Sequence, residues 1–259
     1  MAGVDTVVHA AALKQVPACE YNVLEAVKTN VIGTGNVVEA AIDAGCVTTV
    51  ALISTDKACA SGINAYGATK ACAEKLVTSA QAYAGGSGLK FTAVRYGNVF
   101  GSRGSVYHVW REQAMAGKRL TVTDTRMSRF FFTLDGAVDF VRGCLTRTKG
   151  GEVWIPKLRS FRVGDMREAL CPLAGWDEVG IRQGEKLHEA MVSEDESLFT
   201  HDCGDAYAIC PPIDGPLGNR TREGAVKVPD GFVYRSDGGP FLTVAELRTL
   251  VGGVVGGAA

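Results

Sequence analysis

Short runs of β-branched and apolar residues alternate with longer amphipathic stretches through the first hundred residues. The runs at 6–9, 49–54 and 91–96 predict buried strands, and the apolar spacing over 21–44 and 66–84 predicts helices between them. Gly45 and the pair Gly85–Gly86 mark the ends of these helices. Strands joined by crossover helices build a parallel, doubly wound α/β sheet that binds ligands at the carboxyl ends of its strands.

Beyond residue 101 the pattern is less regular. Helices are predicted over 106–116, 135–147, 163–173 and 243–251, and strands over 120–123, 130–134 and 152–155. The stretch 213–239 is rich in Gly, Pro and charge and is predicted to be extended loop. We therefore expect a nucleotide-binding domain over 1–101, a smaller mixed α/β lobe over 102–251, and a disordered tail over 252–259.

Composition narrows the class of function. The 27 basic and 28 acidic residues nearly balance, and no basic stripe indicates a nucleic-acid surface. The eight cysteines show neither Cys-x-x-Cys nor zinc-ligand spacing, so we expect reduced cysteines and no metal site. No apolar run reaches the ~20 residues that a membrane helix needs. These features predict a cytoplasmic protein without a membrane segment.

The strongest chemical signal is the pair Tyr66 and Lys70 at the start of a predicted helix. Residues four apart lie on one face of a helix, and an ammonium beside a phenol favours the phenolate, which can act as a base. Such a pair taken alone is usually a solvated helix face. Here it follows Ser54-Thr55 at the carboxyl end of a strand, which favours the catalytic interpretation.

A series of motifs occurs in one order along the chain. It runs from Asp5-x-x-x-His9-Ala-Ala11 through Asn30-Val-Ile-Gly33-Thr34, Ser54-Thr-Asp-Lys57 and Tyr66-x-x-x-Lys70 to Arg95-Tyr-Gly-Asn-Val99 and Gly184-Glu-Lys-Leu-His-Glu189. This order resembles the extended short-chain dehydrogenases/reductases, and the finer strings resemble the inverting UDP-N-acetylglucosamine 4,6-dehydratases of pseudaminic-acid biosynthesis. The resemblance implies a Rossmann-like fold, a bound NADP (or NAD), a UDP-sugar substrate and a homo-oligomer.

The resemblance also implies a role for each catalytic residue. Tyr66, assisted by Lys70 and Thr55, would remove the hydroxyl proton at sugar carbon 4 while hydride passes to the cofactor. Lys57 would then act as the base at carbon 5, and Asp56 as the acid that helps hydroxide leave carbon 6. Taken without that context, an Asp-Lys pair at a strand end is usually a surface ion pair of little energy.

The same resemblance assigns binding residues. Ala10 and Lys14 would contact the cofactor together with Tyr66 and Lys70, and Lys14 could also reach the sugar. Thr55, Asn98 and Val99 would line the sugar. Arg182 and Glu185 would hold the UDP, since a guanidinium binds a diphosphate through paired, charge-assisted hydrogen bonds. Further arginine candidates for phosphate or loop contacts are Arg103, Arg126 and Arg129, whereas His188 is expected to be a packing or capping residue.

The sequence departs from the resemblance at its beginning. A dinucleotide fold opens with a strand and a glycine-rich turn, and no such turn precedes the strand at 6–9. We therefore expect a sheet without its first strands, with roughly 70–80 residues missing. An inserted residue between 58 and 64 makes the elimination step less secure than the oxidation. Two alternatives stay open: a non-catalytic remnant that binds a UDP-sugar or a partner chain, and a UDP-hexose 4-epimerase with the same Tyr/Lys pair.

Overall fold

The computed structural model describes residues 1–59, 64–84, 86–102, 104–182, 184–210 and 224–255. They form two compact units. The first unit comprises Met1–Tyr96, Asp139–Lys157 and Ala190–Tyr234, and the second comprises Gly97–Val138, Leu158–Glu189 and Arg235–Ala259. Each unit is thus assembled from three separate stretches of chain. The contiguous division after residue 101 stays a prediction.

Strands and helices have the following bounds. The strands are β1 (Thr6–His9), β2 (Thr49–Ile53), β3 (Lys90–Val94), β4 (Leu120–Val122), β5 (Ser128–Phe130), β6 (Val153–Pro156), β7 (Ser160–Arg162), β8 (Trp176–Glu178), β9 (Ala190–Val192), β10 (Thr200–Asp202), β11 (Ala206–Ile209), β12 (Val226–Lys227) and β13 (Tyr234–Arg235). The α-helices are α1 (Val16–Tyr21), α2 (Val23–Ala26), α3 (Gly33–Ala44), α4 (Ala65–Tyr83), α5 (Val106–Met115), α6 (Leu134–Arg147), α7 (Val163–Leu170) and α8 (Val244–Val255). A π-helix (Val27–Ile32) joins α2 to α3, and 3-10 turns cover Asp56–Ala58 and Asp195–Phe199.

The first unit is built on one sheet with the strand order β1-β2-β3-β6-β11-β10-β12. Strands β1, β2, β3 and β6 run parallel, and β11, β10 and β12 continue the sheet in antiparallel pairing. Strand β3 is nearly all buried, as expected of a strand inside a parallel sheet. The predicted parallel α/β sheet is therefore confirmed, with predicted strand ends within two residues of those observed.

The second unit has short paired strands around its own apolar core. Strand β4 pairs in parallel with β8, and β5 pairs antiparallel with β7. The largest buried side chains of this core are Trp110, Leu120, Met166 and Leu247. The predicted mixed α/β lobe is thus present as a compact unit, although its chain segments are not contiguous.

Two details of the second half differ from prediction. The strand expected at 130–134 lies at Ser128–Phe130, because Thr133 instead begins α6, its side chain accepting a hydrogen bond of 3.1 Å from the amide of Gly136. Helix α8 continues through Val255, so residues 252–255 are helical rather than part of a disordered tail. Residues 213–223 of the predicted loop, and 256–259 of the tail, lie outside the described residues. No helix of the described chain is long and apolar enough to cross a bilayer.

Candidate active site

The turn after β2 is fixed by the end of β3. The amide of Ser54 donates to the Val94 carbonyl at 2.8 Å, and the amide of Asp56 donates to the Tyr96 carbonyl at 3.0 Å. Thr55 then caps the 3-10 turn, its hydroxyl accepting from the amide of Lys57 at 3.3 Å. The backbone of the predicted Ser-Thr-Asp-Lys motif is therefore held at the carboxyl edge of the parallel sheet, where ligands bind in this architecture.

Asp56 is completely buried, and its two carboxylate oxygens differ in their hydrogen bonds. Its Oδ1 accepts from the Thr55 hydroxyl at 2.9 Å and from Lys57 Nζ at 3.1 Å. Among the described residues its Oδ2 has no hydrogen-bond partner, and the hydroxyl of Ser54 is a second buried polar atom without one there. Unpartnered buried polar atoms are costly and are found where a ligand or a reacting group completes the site.

Helix α4 begins against this turn. Asn64 caps it by accepting from the Gly67 amide at 2.7 Å. A Cβ at position 67 would collide with the carbonyl oxygen of Lys57, so the close approach of helix and turn requires glycine there. The capped helix places Tyr66 beside the turn, where its hydroxyl is hydrogen-bonded to Thr55.

The electrostatics around Tyr66 differ from the prediction. Burial raises the pKa of the Tyr66 phenol, and the Lys57 ammonium and the hydrogen bond with Thr55 oppose that rise only in part. The cation that opposes the rise is Lys57, and the help that the four-residue spacing predicts from Lys70 stays a prediction. Lys70 Nζ lies at the end of β2, where it donates to the Ile53 carbonyl at 2.7 Å.

Lys70 itself is almost fully buried. Burial lowers its pKa to about 8, and the carboxylate of Glu74 opposes that fall. An amine with a pKa near neutrality can both hold and release a proton under ordinary conditions. His9, at the end of β1, hydrogen-bonds the Thr34 hydroxyl at 3.1 Å, and burial and the charge of Lys70 lower its pKa.

The loop after β1 carries the predicted cofactor residues Ala10 and Lys14, both exposed. Asn30 holds this loop: its side chain accepts from the Leu13 amide at 2.8 Å and donates to the Leu13 carbonyl at 3.0 Å. It also donates to the Thr69 hydroxyl on α4 at 3.0 Å. Asn30 thus ties the loop to the helix of Tyr66 and Lys70. Its motif was noted in the sequence, but no role was predicted for it.

Four residues predicted to bind the sugar or the UDP lie in the second unit: Asn98, Val99, Arg182 and Glu185. Asn98 is exposed, and Val99 forms a bridge with Phe132. Arg182 and Glu185 share one turn, in which the Glu185 carboxylate accepts from the backbone amide of Arg182 at 3.3 Å. The guanidinium of Arg182 is exposed, as a contact to a diphosphate requires.

The other arginine candidates separate into different roles. Arg129 donates to the carbonyls of Leu187 at 3.1 Å and Lys186 at 3.0 Å, so it holds the segment that follows Glu185. Arg126 is paired with Asp124 at 2.7 Å and keeps an exposed side chain. Arg103 lies outside the described residues.

The His188 ring is hydrogen-bonded to the buried Ser128 hydroxyl at 2.8 Å, in line with the predicted packing role. Among the described residues, no cluster of His, Cys, Asp or Glu could hold a metal ion.

Comparison with known proteins identifies the family. Residues 1–211 match the family described as "Polysaccharide biosynthesis protein". Two proteins of Campylobacter jejuni named UDP-N-acetylglucosamine 4,6-dehydratase (inverting) are 45% and 44% identical, over 93% of this chain and 73% of each relative. The chain therefore belongs to the polysaccharide biosynthesis protein family. The resemblance seen in the ordered motifs is confirmed.

Other members and structures are also similar. A UDP-glucose 4-epimerase of Rickettsia typhi is 38% identical over 97% of this chain and 74% of its own length. The crystal structure of Pen from Bacillus thuringiensis has a TM-score of 0.86 and 39% identity, covering 97% of this chain and 76% of Pen. A UDP-glucuronic acid 4-epimerase from Bacillus cereus, solved with UDP-glucuronic acid and NAD, has a TM-score of 0.60 at 23% identity, over 71% of this chain and 65% of that one. The last likeness extends to the fold alone.

Within this family member, the structure brings one set of predicted residues together. Thr55, Asp56, Lys57 and Tyr66 surround one point at the carboxyl edge of the sheet, and Lys70 lies one helical turn beyond Tyr66. Side chains can act on one substrate only if they lie close together, and these four do. The arrangement places a phenolic hydroxyl, an ammonium and a carboxyl group within one small volume.

Proposed function

We propose that the protein is a nucleotide-sugar dehydratase that acts on UDP-N-acetylglucosamine, removing water across sugar carbons 5 and 6 with inversion at carbon 5. The observation that carries the proposal is the Lys57–Asp56 pair, 3.1 Å apart, beside the Tyr66 hydroxyl. Oxidation at carbon 4 needs only a base, whereas elimination needs an additional base and acid. The pair provides both, and the identity to the two Campylobacter relatives supports the same chemistry.

A nicotinamide dinucleotide, for which we propose NADP, fits the residues at the sheet edge. Bound there, it would accept and return the hydride of the sugar. Lys70 supports this fit because its ammonium has three N–H donors, of which one is given to the Ile53 carbonyl, so that donors are left for the hydroxyls of a ribose. Ala10 and Lys14, in the exposed loop after β1, would contact the rest of the dinucleotide.

The oxidation step depends on Tyr66. Its phenol oxygen takes the proton from the carbon-4 hydroxyl, and the hydrogen bond with Thr55 and the charge of Lys57 favour the phenolate that does so. Burial acts in the opposite direction and is the largest of these effects.

The elimination step uses one shared proton. Lys57 and Asp56 together hold it in their hydrogen bond, either as ammonium and carboxylate or as amine and carboxylic acid. The elimination uses the neutral form of the pair, in which the amine can accept a proton and the carboxylic acid can give one. In that form the Lys57 amine takes the carbon-5 proton, and the Asp56 acid gives its proton to the hydroxide leaving carbon 6. The pair is then ammonium and carboxylate again, and the atoms balance.

Four of the five residues proposed to bind the UDP-sugar belong to the second unit, and Lys14 belongs to the first. Arg182 and Glu185 would bind the nucleotide, and Asn98, Val99 and Lys14 the sugar. The exposed guanidinium of Arg182 supports a diphosphate contact, since arginine presents paired donors to neighbouring phosphate oxygens.

A UDP-hexose 4-epimerase is the second candidate, because Rickettsia relatives with that name are 38% identical. An epimerase eliminates no water and has no use for the Asp56–Lys57 pair. The test is NMR of UDP-N-acetylglucosamine incubated in D₂O with the full polypeptide that carries this chain and with NADP. The proposal expects a 4-keto-6-deoxy sugar with deuterium and inverted configuration at carbon 5. Conversion to the 4-epimer with carbon 6 intact would establish the second candidate instead, and no conversion would contradict both.

A further inference from the structure

A buried ionic cluster lies behind the Tyr66 helix. The Arg95 guanidinium is fully buried and makes two bonds to Glu74, at 3.0 and 2.6 Å. It makes two more to Glu196, at 2.9 and 2.8 Å, and one to the Met191 carbonyl at 2.9 Å. All five N–H donors of the guanidinium are thus directed to acceptors, which is the condition under which a buried charge is stable.

Arg95 is linked to both parts of the active site. Its neighbours in the chain, Val94 and Tyr96, accept the amide hydrogens of Ser54 and Asp56, so the backbone on either side of Arg95 holds the turn after β2. Its side chain holds Glu74, the third member of the buried series Tyr66, Lys70 and Glu74 on α4. The same residue therefore anchors the turn through its backbone neighbours and the helix through its side chain.

Glu196 closes the cluster from the other side. Besides Arg95, its carboxylate accepts from the amide and hydroxyl of Ser193 at 3.0 and 3.1 Å. It also accepts from the thiol of Cys59 at 3.6 Å, and Cys59 directly follows the 3-10 turn Asp56–Ala58. The turn is therefore anchored at one end by the backbone on either side of Arg95 and at the other end by Glu196, which is bound to the Arg95 guanidinium.

We propose that Glu74, Arg95 and Glu196 are positioning residues, which hold the helix of Tyr66 and Lys70 in register with the Thr55–Lys57 turn. The proposal rests on the proposed function for its catalytic readout. None of the three is needed to contact substrate or cofactor. Their effect on the reaction comes from alignment, and small misplacements of reacting groups are expensive in rate.

Glu74 has a second effect, through its charge. The titratable groups that interact with Lys70 are His9 on β1 and Glu74 on its own helix. Of these, Glu74 is the group whose charge raises the pKa of Lys70 against burial. Removal of the Glu74 charge should therefore release the proton of Lys70 at lower pH.

The test compares Glu74→Gln and Glu196→Gln in the full polypeptide, with Glu39→Gln on the exposed side of α3 as the matched control. We expect kcat of Glu74→Gln to fall roughly 10- to 100-fold with KM within about twofold, and the ¹³C NMR titration of Lys70 to move to lower pH. Glu196→Gln should lower kcat without moving that titration, because Glu74 remains. Glu39→Gln should change neither.

The outcomes are decisive in either direction. A folded Glu74→Gln protein with wild-type kcat and an unmoved Lys70 titration would overturn the proposal. If Glu74→Gln does not fold, wild-type kcat and KM in Glu196→Gln would overturn it. If the wild-type protein does not turn over UDP-N-acetylglucosamine, the proposed function fails, while the Lys70 titration still tests the link from Glu74 to Lys70.

Discussion

Lys70 Nζ lies 2.7 Å from the carbonyl oxygen of Ile53, so the buried ammonium is bound to the last residue of β2. The contact joins the helix of the proposed base to the strand whose following turn carries Thr55, Asp56 and Lys57. Lys70 is thus fixed to the sheet, whereas Lys57 is the lysine whose charge opposes the effect of burial on the Tyr66 phenol.

Lys70 should lower the stability of the protein in a pH-dependent way. Its pKa falls from 10.5 to about 8 in the folded state, which is worth about 3 kcal/mol at roughly 1.4 kcal/mol per unit. Because the folded pKa is the lower one, the unfavourable contribution is complete below about pH 8 and disappears as pH rises toward the unfolded value. Lys70→Met should therefore raise the free energy of unfolding more at about pH 6 than at about pH 10.

Urea unfolding of the full polypeptide at the two pH values measures this difference. Lys75→Met, an exposed position on the same helix, is the control and should show no such pH dependence. An equal effect of Lys70→Met at both pH values would show that the ammonium is not destabilised by burial.

Gly67→Ala should damage the contact between α4 and the catalytic turn. The added Cβ would collide with the Lys57 carbonyl oxygen, a backbone atom that cannot rotate away. We expect a loss of about 1–3 kcal/mol in unfolding free energy, measured by urea titration. Gly35→Ala is the matched control, since a Cβ there meets no atom within 4 Å and alanine favours a helix. Equal stability of the two variants would contradict the close approach.

Asn30→Ala should loosen the loop that carries Lys14. The change leaves the part-buried amide of Leu13 without its partner and its carbonyl with only the Cys19 thiol, at a cost of about 1–3 kcal/mol. Asn36→Ala, an exposed position on α3, should be nearly neutral. Hydrogen exchange at the Leu13 amide provides the direct measurement, and unchanged protection there in Asn30→Ala would refute the role given to Asn30.

The sequence predicts features that depend on neighbouring residues, but not contacts between residues far apart in the chain. The buried strands and α4 were predictable because apolar periodicity and the capping and glycine signals are local, as Asn64 and Gly67 illustrate. The partners of Arg95 were not, since Glu74 lies 21 residues and Glu196 101 residues away in the chain. The contact of Lys70 with the Ile53 carbonyl was not predictable either. Helical spacing indicates on which face a side chain lies, but not which acceptor its terminal atom reaches.

Arg182→Ala tests the proposed nucleotide contact. Loss of a hydrogen bond to a charged group should weaken UDP binding by about 1.5–3 kcal/mol, measured by calorimetry on the full polypeptide. Arg142→Ala, an exposed arginine on α6 in the first unit, is the control. Unchanged UDP affinity in Arg182→Ala would remove this residue from the proposed site.

The sharpest separation of oxidation from elimination comes from Lys57→Ala and Tyr66→Phe. Without Lys57 the carbon-5 proton has no base, and the Asp56 carboxyl loses the partner with which it shares a proton across 3.1 Å. Tyr66 also loses a favourable charge, so oxidation should slow but continue, while elimination should fall roughly 10²–10⁴-fold, the usual contribution of a positioned acid or base. Reduced cofactor absorbance should then accumulate on the enzyme in Lys57→Ala with little 4-keto-6-deoxy sugar in the NMR spectrum. Tyr66→Phe lacks the base for the earlier step, and neither the absorbance nor the product should appear. Product formation by Lys57→Ala at the wild-type rate would mean that the pair is a structural ion pair and that another group removes the carbon-5 proton.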